Sequence, residues 1–461
     1  MMKKKKKFWG IFIVVIIIVL SIATHFAFFG HPNSTVFDEV HFGKFISGYL
    51  NHEYFFDIHP PLGKLMISGV AKISGYKTGF DFKEIGEKYP DNSYIWLRLL
   101  PVIAGTLLPL VIYFLAKNLK FSTIASFAAA LFIIFENAIL GQSSFILLDS
   151  MLLLFGFLGL LLFLIARRRN SIWIYLLAFI SLSFSLSIKW TGAAFLGLAI
   201  IIEIVDFIKH RIDFRPIPNF WPRILIIIFL PITIYFAIFS IHFALLNKSG
   251  EGDAFMSKGF QKTLSGNSYA NDPDIKPENI LLKFAELNIE MYRSNGRITD
   301  QHPYASKWYT WPMMAKPIYY WNEAQGTNEA KIYLFGNPVI FWGSFSGIVI
   351  LLLDCLFFFK EMCRKFKTII FILVGFILNY LPFVFITRPM FLYHYLTALV
   401  FAILALCFVI DLVQNTRKKI IIFVIILGIA IASFFFFSPL TYGLTLSPKS
   451  FQTRLWTNNW Q

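Results

Sequence analysis

Eleven apolar stretches, each near the length that crosses a bilayer, leave this chain few folds to choose from. They run at about Phe8–Phe29, 96–116, 121–140, 145–166, 172–189, 191–208, 223–246, 335–359, 368–386, 390–410 and 420–437. About 20 apolar residues at a rise of 1.5 Å span the roughly 30 Å hydrocarbon core, and inside it the backbone must satisfy its own hydrogen bonds. The chain therefore reads as an all-α polytopic membrane protein with about 11 transmembrane helices. The first stretch, about 22 residues, is longer than a signal-peptide core and lacks an Ala-x-Ala-like exit, so it reads as an uncleaved span.

Orientation follows from the loops, because cytoplasmic loops carry the Lys and Arg. Every loop that this count puts inside is basic: Lys3 to Lys7; Lys117 and Lys120; Arg167 to Arg169; Lys209, Arg211, Arg215 and Arg223; Lys360, Arg364, Lys365 and Lys367; Arg417 to Lys419. The expected organisation is a cytoplasmic N-terminus and first span over 1–29, an external loop over 30–95, spans 2–7 over 96–246, a second external loop over 247–334, spans 8–11 over 335–437, and an external tail over 438–461. The net charge of +16 is thus topology. A nucleic-acid binder would cluster its basic residues on one soluble face, so no nucleic-acid partner is expected; the bilayer is the partner. Cys355, Cys363 and Cys407 lie in or beside apolar segments and form no disulfide framework or zinc spacing.

Both long external segments must contain structure. Phe42, Phe45, Ile46 and Tyr49, then Leu62, Leu65, Met66, Gly69 and Val70, recur at helical spacing, as two amphipathic helices lying along the membrane surface would. The second segment holds an apolar-periodic run from Ile280 to Met291, and then the aromatic stretch from His302 to Pro312.

Once the topology is set, Asp38, Glu39, His41, Lys44, His59, Arg98, Asp149, Lys189, His302, Arg388 and His394 all fall outside or at the outer ends of spans. Ionisable groups at such depth are costly, and their convergence on one leaflet points to one site. Singly, an interfacial Arg or Lys snorkels to headgroups and a His caps a polar contact. A transporter would instead place its polar groups near mid-membrane in paired halves, and no halves repeat here.

Several of these residues sit in longer motifs. Phe37-Asp38-Glu39-Val40-His41-Phe42, Phe56-Asp57-Ile58-His59-Pro60-Pro61-Leu62-Gly63-Lys64, Arg98-Leu99-Leu100-Pro101, Lys189-Trp190-Thr191-Gly192, His302-Pro303-Tyr304-Ala305-Ser306-Lys307-Trp308 and Arg388-Pro389-Met390-Phe391-Leu392-Tyr393-His394-Tyr395-Leu396 together resemble the protein O-mannosyltransferases, in the family's order. The resemblance implies a GT-C glycosyltransferase fold, a polyprenyl-phosphate mannose donor, and a Ser or Thr hydroxyl of a translocated protein as acceptor, with inversion at the sugar. It places the enzyme in the plasma membrane with its site on the external side. Eukaryotic members carry a folded MIR module in the loop corresponding to 247–334, for which this loop has no room, so the likeness is to a bacterial-type member. The same architecture also serves glycosyltransferases that act on a lipid or glycan acceptor. The motifs leave the oligomeric state open.

The residues fit that chemistry. An alcohol attacking an anomeric carbon needs a base, and by the resemblance Asp38 supplies it, with Glu39 holding the acceptor or tuning Asp38 as a coupled neighbour. The leaving lipid phosphate gains charge, so fixed cations should meet it; Arg does this bidentately. Arg98 and Arg388 are the expected phosphate ligands, with Lys189 and His394 as supporting donors. His41, His59, His302, Tyr304 and Tyr393 are the expected substrate contacts. Trp308, Tyr309, Trp311, Tyr319, Tyr320 and Trp321 suit either sugar stacking or an interfacial aromatic belt. No cofactor is implied, the sugar donor being a substrate, and no metal, since His41 and His59 share no helical ligand spacing.

Overall fold

The structure, a computed structural model, describes residues 2–212, 219–299, 302–358 and 365–460. Arg215, Lys360 and Arg364, three of the basic residues used to set the topology, lie outside the described residues.

Each apolar stretch forms a helix over most of its described residues. Among the described residues nine helical segments are long and apolar enough to cross a bilayer. They comprise α1 (Met2–Phe26), α4 (Ile95–Asn118), α7 (Asp149–Arg169), α9 (Ala193–Ile212), α10 (Phe220–Leu245), α13 (Pro338–Phe357), α14 (Phe366–Tyr380), α15 (Leu396–Asp411) and α16 (Thr416–Tyr442). Two of the expected spans take other forms. The stretch at 121–140 is a bent pair, α5 (Thr123–Ile134) and α6 (Asn137–Ser143), with a 57° bend. The stretch at 172–189 is the 17-residue α8 (Ile172–Ile188). Broken helices are tolerated at membrane depth only where protein satisfies the freed backbone. Here the Glu136 carboxylate accepts from the backbone N–H of Ala138 (2.9 Å) and Asn337 (3.1 Å), while Asn337 Nδ2 donates to the carbonyls of Phe135 (3.0 Å) and Ala430 (2.8 Å).

The bundle is built around α15, 83% of whose apolar window is buried, against 17% for α1 and for α10 on the periphery. Ala398, Leu399, Val400 and Phe401 have no exposed surface. An all-round apolar helix of this kind belongs in the interior.

Above one end lies a cap. The two amphipathic helices form as expected, α2 (Glu39–Asn51) and α3 (Leu62–Ile73), and the apolar run after 280 becomes α12 (Ile280–Arg297). A single turn, α11 (Lys258–Gln261), precedes it. Periodicity gave no sign of strands, yet an antiparallel hairpin joins β1 (Ile318–Gln325) to β2 (Asn328–Leu334) around Gly326, whose φ of +64° suits a tight hairpin turn. The C-terminal tail adds β3 (Thr445–Leu446), pairing Leu446 with Glu329, before α17 (Pro448–Gln452). Lys248 bridges to Glu53, and Phe37 N–H donates to Tyr320 O (3.2 Å). Segments 30–95, 247–334 and the tail, all assigned to one side of the membrane by charge, pack as one unit.

Candidate active site

Asp38 and Glu39 open α2, and the fold gives them opposite surroundings. Glu39 is fully buried. Its two oxygens accept from Arg98 Nε and Nη2 (both 2.7 Å), from the N–H of Val36 and Ile146 (both 2.9 Å), and from the Tyr89 hydroxyl (3.1 Å). Arg98, also fully buried, sends its remaining N–H groups to the carbonyls of Gly30 (3.1 Å), Pro32 (2.7 Å) and Ser34 (2.9 Å). Its guanidinium lies 4.9 Å from the centre of the Tyr94 ring and 5.2 Å from that of Phe145. A guanidinium has five N–H donors, and all five are taken. The expectation that Arg98 meets a donor phosphate is therefore at odds with its geometry, as is an acceptor-holding role for Glu39. Together they tie the 30–36 loop, α2, α4 and the 144–148 loop into one knot.

Asp38 precedes that knot and makes no capping bond to its own helix. Phe37 beside it holds a φ of +46°, a strained value for a bulky residue. The strain is held by Tyr320 of β1: besides the backbone bond, the rings stack at 4.1 Å and 8°, and the Tyr320 hydroxyl accepts from Gln142 Nε2 (3.0 Å). Burial pushes the Asp38 carboxyl up to about 7, opposed by Lys189 and reinforced by Asp149 and Asp57. A carboxyl titrating near neutrality beside fixed cations is suited to general-base work.

Of the nearby cations Lys189 acts on Asp38 itself, and Lys64 and Arg388 join Lys189 around His59. Lys189 follows α8 where Gly192 lets the turn close; a Cβ there would stand 2.3 Å from the Ser185 backbone. Its ammonium is held by both oxygens of Asp149 (2.9 and 2.8 Å) and lies 5.2 Å from the Tyr393 ring centre. Lys64 is paired to Asp57 and donates to His59 O (2.9 Å). Arg388 has neither hydrogen bond nor ion pair to any described residue. His59 is held well below its usual range by burial and by Lys189, Lys64 and Arg388, so it is neutral. His394 Nδ1 meets the backbone of Phe391, and its ring stacks on Trp311 at 5.8 Å.

Of the expected substrate contacts, His59 and Tyr393 therefore lie in this charged cluster. His302 is exposed and packs edge-on against Phe391 at 5.0 Å, and Tyr304 stacks on Tyr319 at 6.0 Å, so the His-Pro-Tyr motif rims the cluster through the 388–394 segment. Ser306 N–H donates to Met390 O (2.8 Å), joining the two motifs. His41 is exposed on α2, with Asp57 and Lys44 as charged neighbours. Sequence reasoning gave no role to Asp149 and did not single out Gln142; Tyr320 appeared only among the aromatics. Asp149 had a readable signal, a carboxylate at the outer end of a span facing Lys189; Gln142 and the hairpin had none.

The family model for dolichyl-phosphate-mannose-protein mannosyltransferases matches residues 15–247, half of the chain and all of the Asp38, Glu39, Arg98 and Lys189 region. The chain belongs to this family. A second family model, for the C-terminal four-span region of protein O-mannosyltransferases, matches residues 280–460. Among curated members, dolichyl-phosphate-mannose–protein mannosyltransferase 4 of Candida albicans is 39% identical over 264 residues, covering 53% of this chain and 35% of that protein. Protein O-mannosyl-transferase 2 of Danio rerio is 34% identical over 283 residues, covering 57% and 36%. The chain thus spans about a third of the length of these family members. The fold matches the S. cerevisiae protein O-mannosyltransferase Pmt1-Pmt2 complex bound to the sugar donor, at a TM-score of 0.90 and 20% identity over 98% of this chain and 92% of that one. ArnT from Cupriavidus metallidurans, bound to undecaprenyl phosphate, matches at 0.53 and 13% identity over 94% and 65%. The fold is the GT-C type shared by these enzymes.

Proposed function

We propose that this chain is a protein O-mannosyltransferase that moves mannose from a polyprenyl-phosphate mannose onto Ser or Thr hydroxyls of translocated proteins, on the external face of the plasma membrane. The observation that carries the reading is the meeting around Tyr393 of a carboxyl titrating near 7, Asp38, and a guanidinium, Arg388, that has no hydrogen bond or ion pair to any described residue. Family membership supports it, since the curated members are named for mannose transfer from dolichyl phosphate to protein.

In this reading Asp38 takes the acceptor hydroxyl proton as oxygen attacks the anomeric carbon. The sugar–phosphate bond breaks on the opposite face, which inverts the centre. The leaving phosphate gains charge and is met by Arg388 and by the Lys189 ammonium, whose Asp149 contact fixes its position. A guanidinium keeps its proton even when desolvated, so it remains a charge where the phosphate develops one. His59, neutral beside these cations, donates without adding repulsion to the site, with His394 as a second donor. Glu39 and Arg98 act only by holding Asp38 in place. The basic loops support the external face, since the cap that carries Asp38 lies opposite to them.

Purified protein in vesicles, given labelled polyprenyl-phosphate mannose and a Ser/Thr-rich peptide, should yield alkali-labile label on the peptide. Label on a lipid or glycan acceptor, with none on the peptide, would replace this reading with the other GT-C chemistry.

A further inference from the structure

The helix α12 carries none of the site residues, yet it touches three parts of the site's support. Asn295 Nδ2 donates to Ile58 O (3.2 Å), one residue before His59. Asn288 Oδ1 accepts from the Tyr235 hydroxyl (2.7 Å), which itself accepts from Trp190 Nε1 (2.9 Å), one residue after Lys189. Leu287 and Met291 close a small cavity whose other walls include Asp57, His59, Lys64 and His242.

Around its axis α12 presents three faces. At about 100° per residue, Lys283, Phe284, Leu287, Asn288, Met291 and Asn295 share one side, turned to the protein. Glu286, Glu290, Arg293 and Arg297 form a charged side, with Arg297 paired to Glu290 (2.9 Å). Between them runs an apolar arc roughly 100° wide: Leu281, Leu282, Ile289 and Tyr292, with Ala285. These four large side chains are 64%, 54%, 49% and 73% exposed. A soluble helix needs two faces, core and water. Three faces fit a helix lying where protein, water and lipid meet.

Its depth agrees. Phe284 packs on Phe236 at 5.2 Å and on Phe239 at 5.3 Å, and Tyr235 lies ten residues inside the end of α10, about 15 Å along the axis. The 26 residues of α10 extend about 39 Å and can overhang the roughly 30 Å hydrocarbon core by about 9 Å, so this contact falls at least about 6 Å inside the outer leaflet. The neighbouring α10 is itself largely turned to lipid, with Ile232 65% and Ile241 52% exposed.

We propose that α12 is seated in the outer leaflet, with the Leu281–Leu282–Ile289–Tyr292 arc against lipid acyl chains, as a strap whose inner face holds the His59 and Lys189 segments in register. The occupant of the arc is lipid; an acceptor polypeptide is the alternative the test separates.

Full-length protein with Cys355, Cys363 and Cys407 replaced by Ala, and a single spin label at Ile289→Cys, Tyr292→Cys or Glu290→Cys, is reconstituted in phosphatidylethanolamine/phosphatidylglycerol vesicles. The first two labels should be relaxed more by oxygen than by a water-soluble nickel chelate, and Glu290→Cys the reverse. Equal access of the chelate at all three positions overturns the proposal. So does protection of Ile289→Cys and Tyr292→Cys that develops only when a Ser/Thr-rich peptide is added. A second arm rests on the mannosyl-transfer reading: Leu281→Asp with Ile289→Asp should raise the donor KM by at least about fivefold in vesicles while the variant still purifies folded. An unchanged donor KM would remove the strap role. The accessibility arm requires no turnover, so its failure and that of the functional reading are separable.

Discussion

Asp38 and Glu39 are neighbours in sequence and opposites in environment. One region, the Glu39–Arg98 knot, satisfies every donor and acceptor it contains. The other, the cluster of Asp38, Lys189, Arg388, His59 and His394, pairs Lys189 with Asp149 but leaves Arg388 without a hydrogen bond or ion pair to any described residue. A buried ion pair with full hydrogen bonding is structural: it contributes rigidity and is costly to break, but it has nothing left for a substrate. Unpaired charge at the edge of a membrane is retained for what binds there. The two arginines expected to act alike thus divide by partner count among the described residues, five taken donors against none.

The largest effect should come from the unpaired side. Asp38→Asn keeps the shape but cannot accept a proton at useful strength, and turnover should fall about 10²–10⁴-fold with donor binding retained, measured by peptide labelling and donor binding side by side.

Next comes the knot. Glu39→Ala leaves the Arg98 charge buried and unpaired, and stability should drop by about 3–5 kcal/mol, seen as a lower midpoint in thermal unfolding and lost yield. Arg98→Lys should behave similarly, because an ammonium reaches neither both Glu39 oxygens nor all three carbonyls. Wild-type stability in either variant would dissolve the contrast.

Arg388→Lys should leave unfolding unchanged and lower turnover by about tenfold, or roughly 1.4 kcal/mol, since Lys lacks the planar fork. The loss falls on donor KM if the ground-state phosphate is already held, and on kcat if the contact tightens as charge develops. Full activity would return Arg388 to headgroup contact.

A smaller effect sharpens the assignment of Asp38. Its carboxyl is raised from 3.8 to about 7 by burial, so the folded protein holds its proton longer than the unfolded chain. Stability from this group is present below about pH 4 and is lost as pH rises through 7. Asp38→Asn should therefore gain in melting temperature over wild type as pH rises from 4 to 7, with the gap constant above that.

Much of this was legible in the sequence. The apolar helices and the cap helices α2, α3 and α12 follow from residue periodicity, because lipid punishes exceptions. The partition of cations did not. Arg98 and Arg388 both sit at outer ends of spans, and only the three-dimensional path of residues 30–39 back over α4 uses up the first. The hairpin over 318–334 was also hidden, since Tyr319, Tyr320 and Trp321 read equally as an interfacial belt; Tyr320 lies at the register shift between β1 and β2, and its contact with Phe37 is non-local. The bend at Glu136 is similar, its carboxylate being satisfied by Asn337, about 200 residues away.

The most direct test of the division between the neighbours is a matched pair, Asp38→Asn and Glu39→Gln, each assayed at pH 8 for melting temperature and for single-turnover transfer. Asp38→Asn is predicted to melt at or above wild type and to transfer at least about 100-fold more slowly, and Glu39→Gln to melt well below it while its folded fraction still transfers. A Glu39→Gln variant as stable as wild type yet inactive, beside an active Asp38→Asn, would contradict the account.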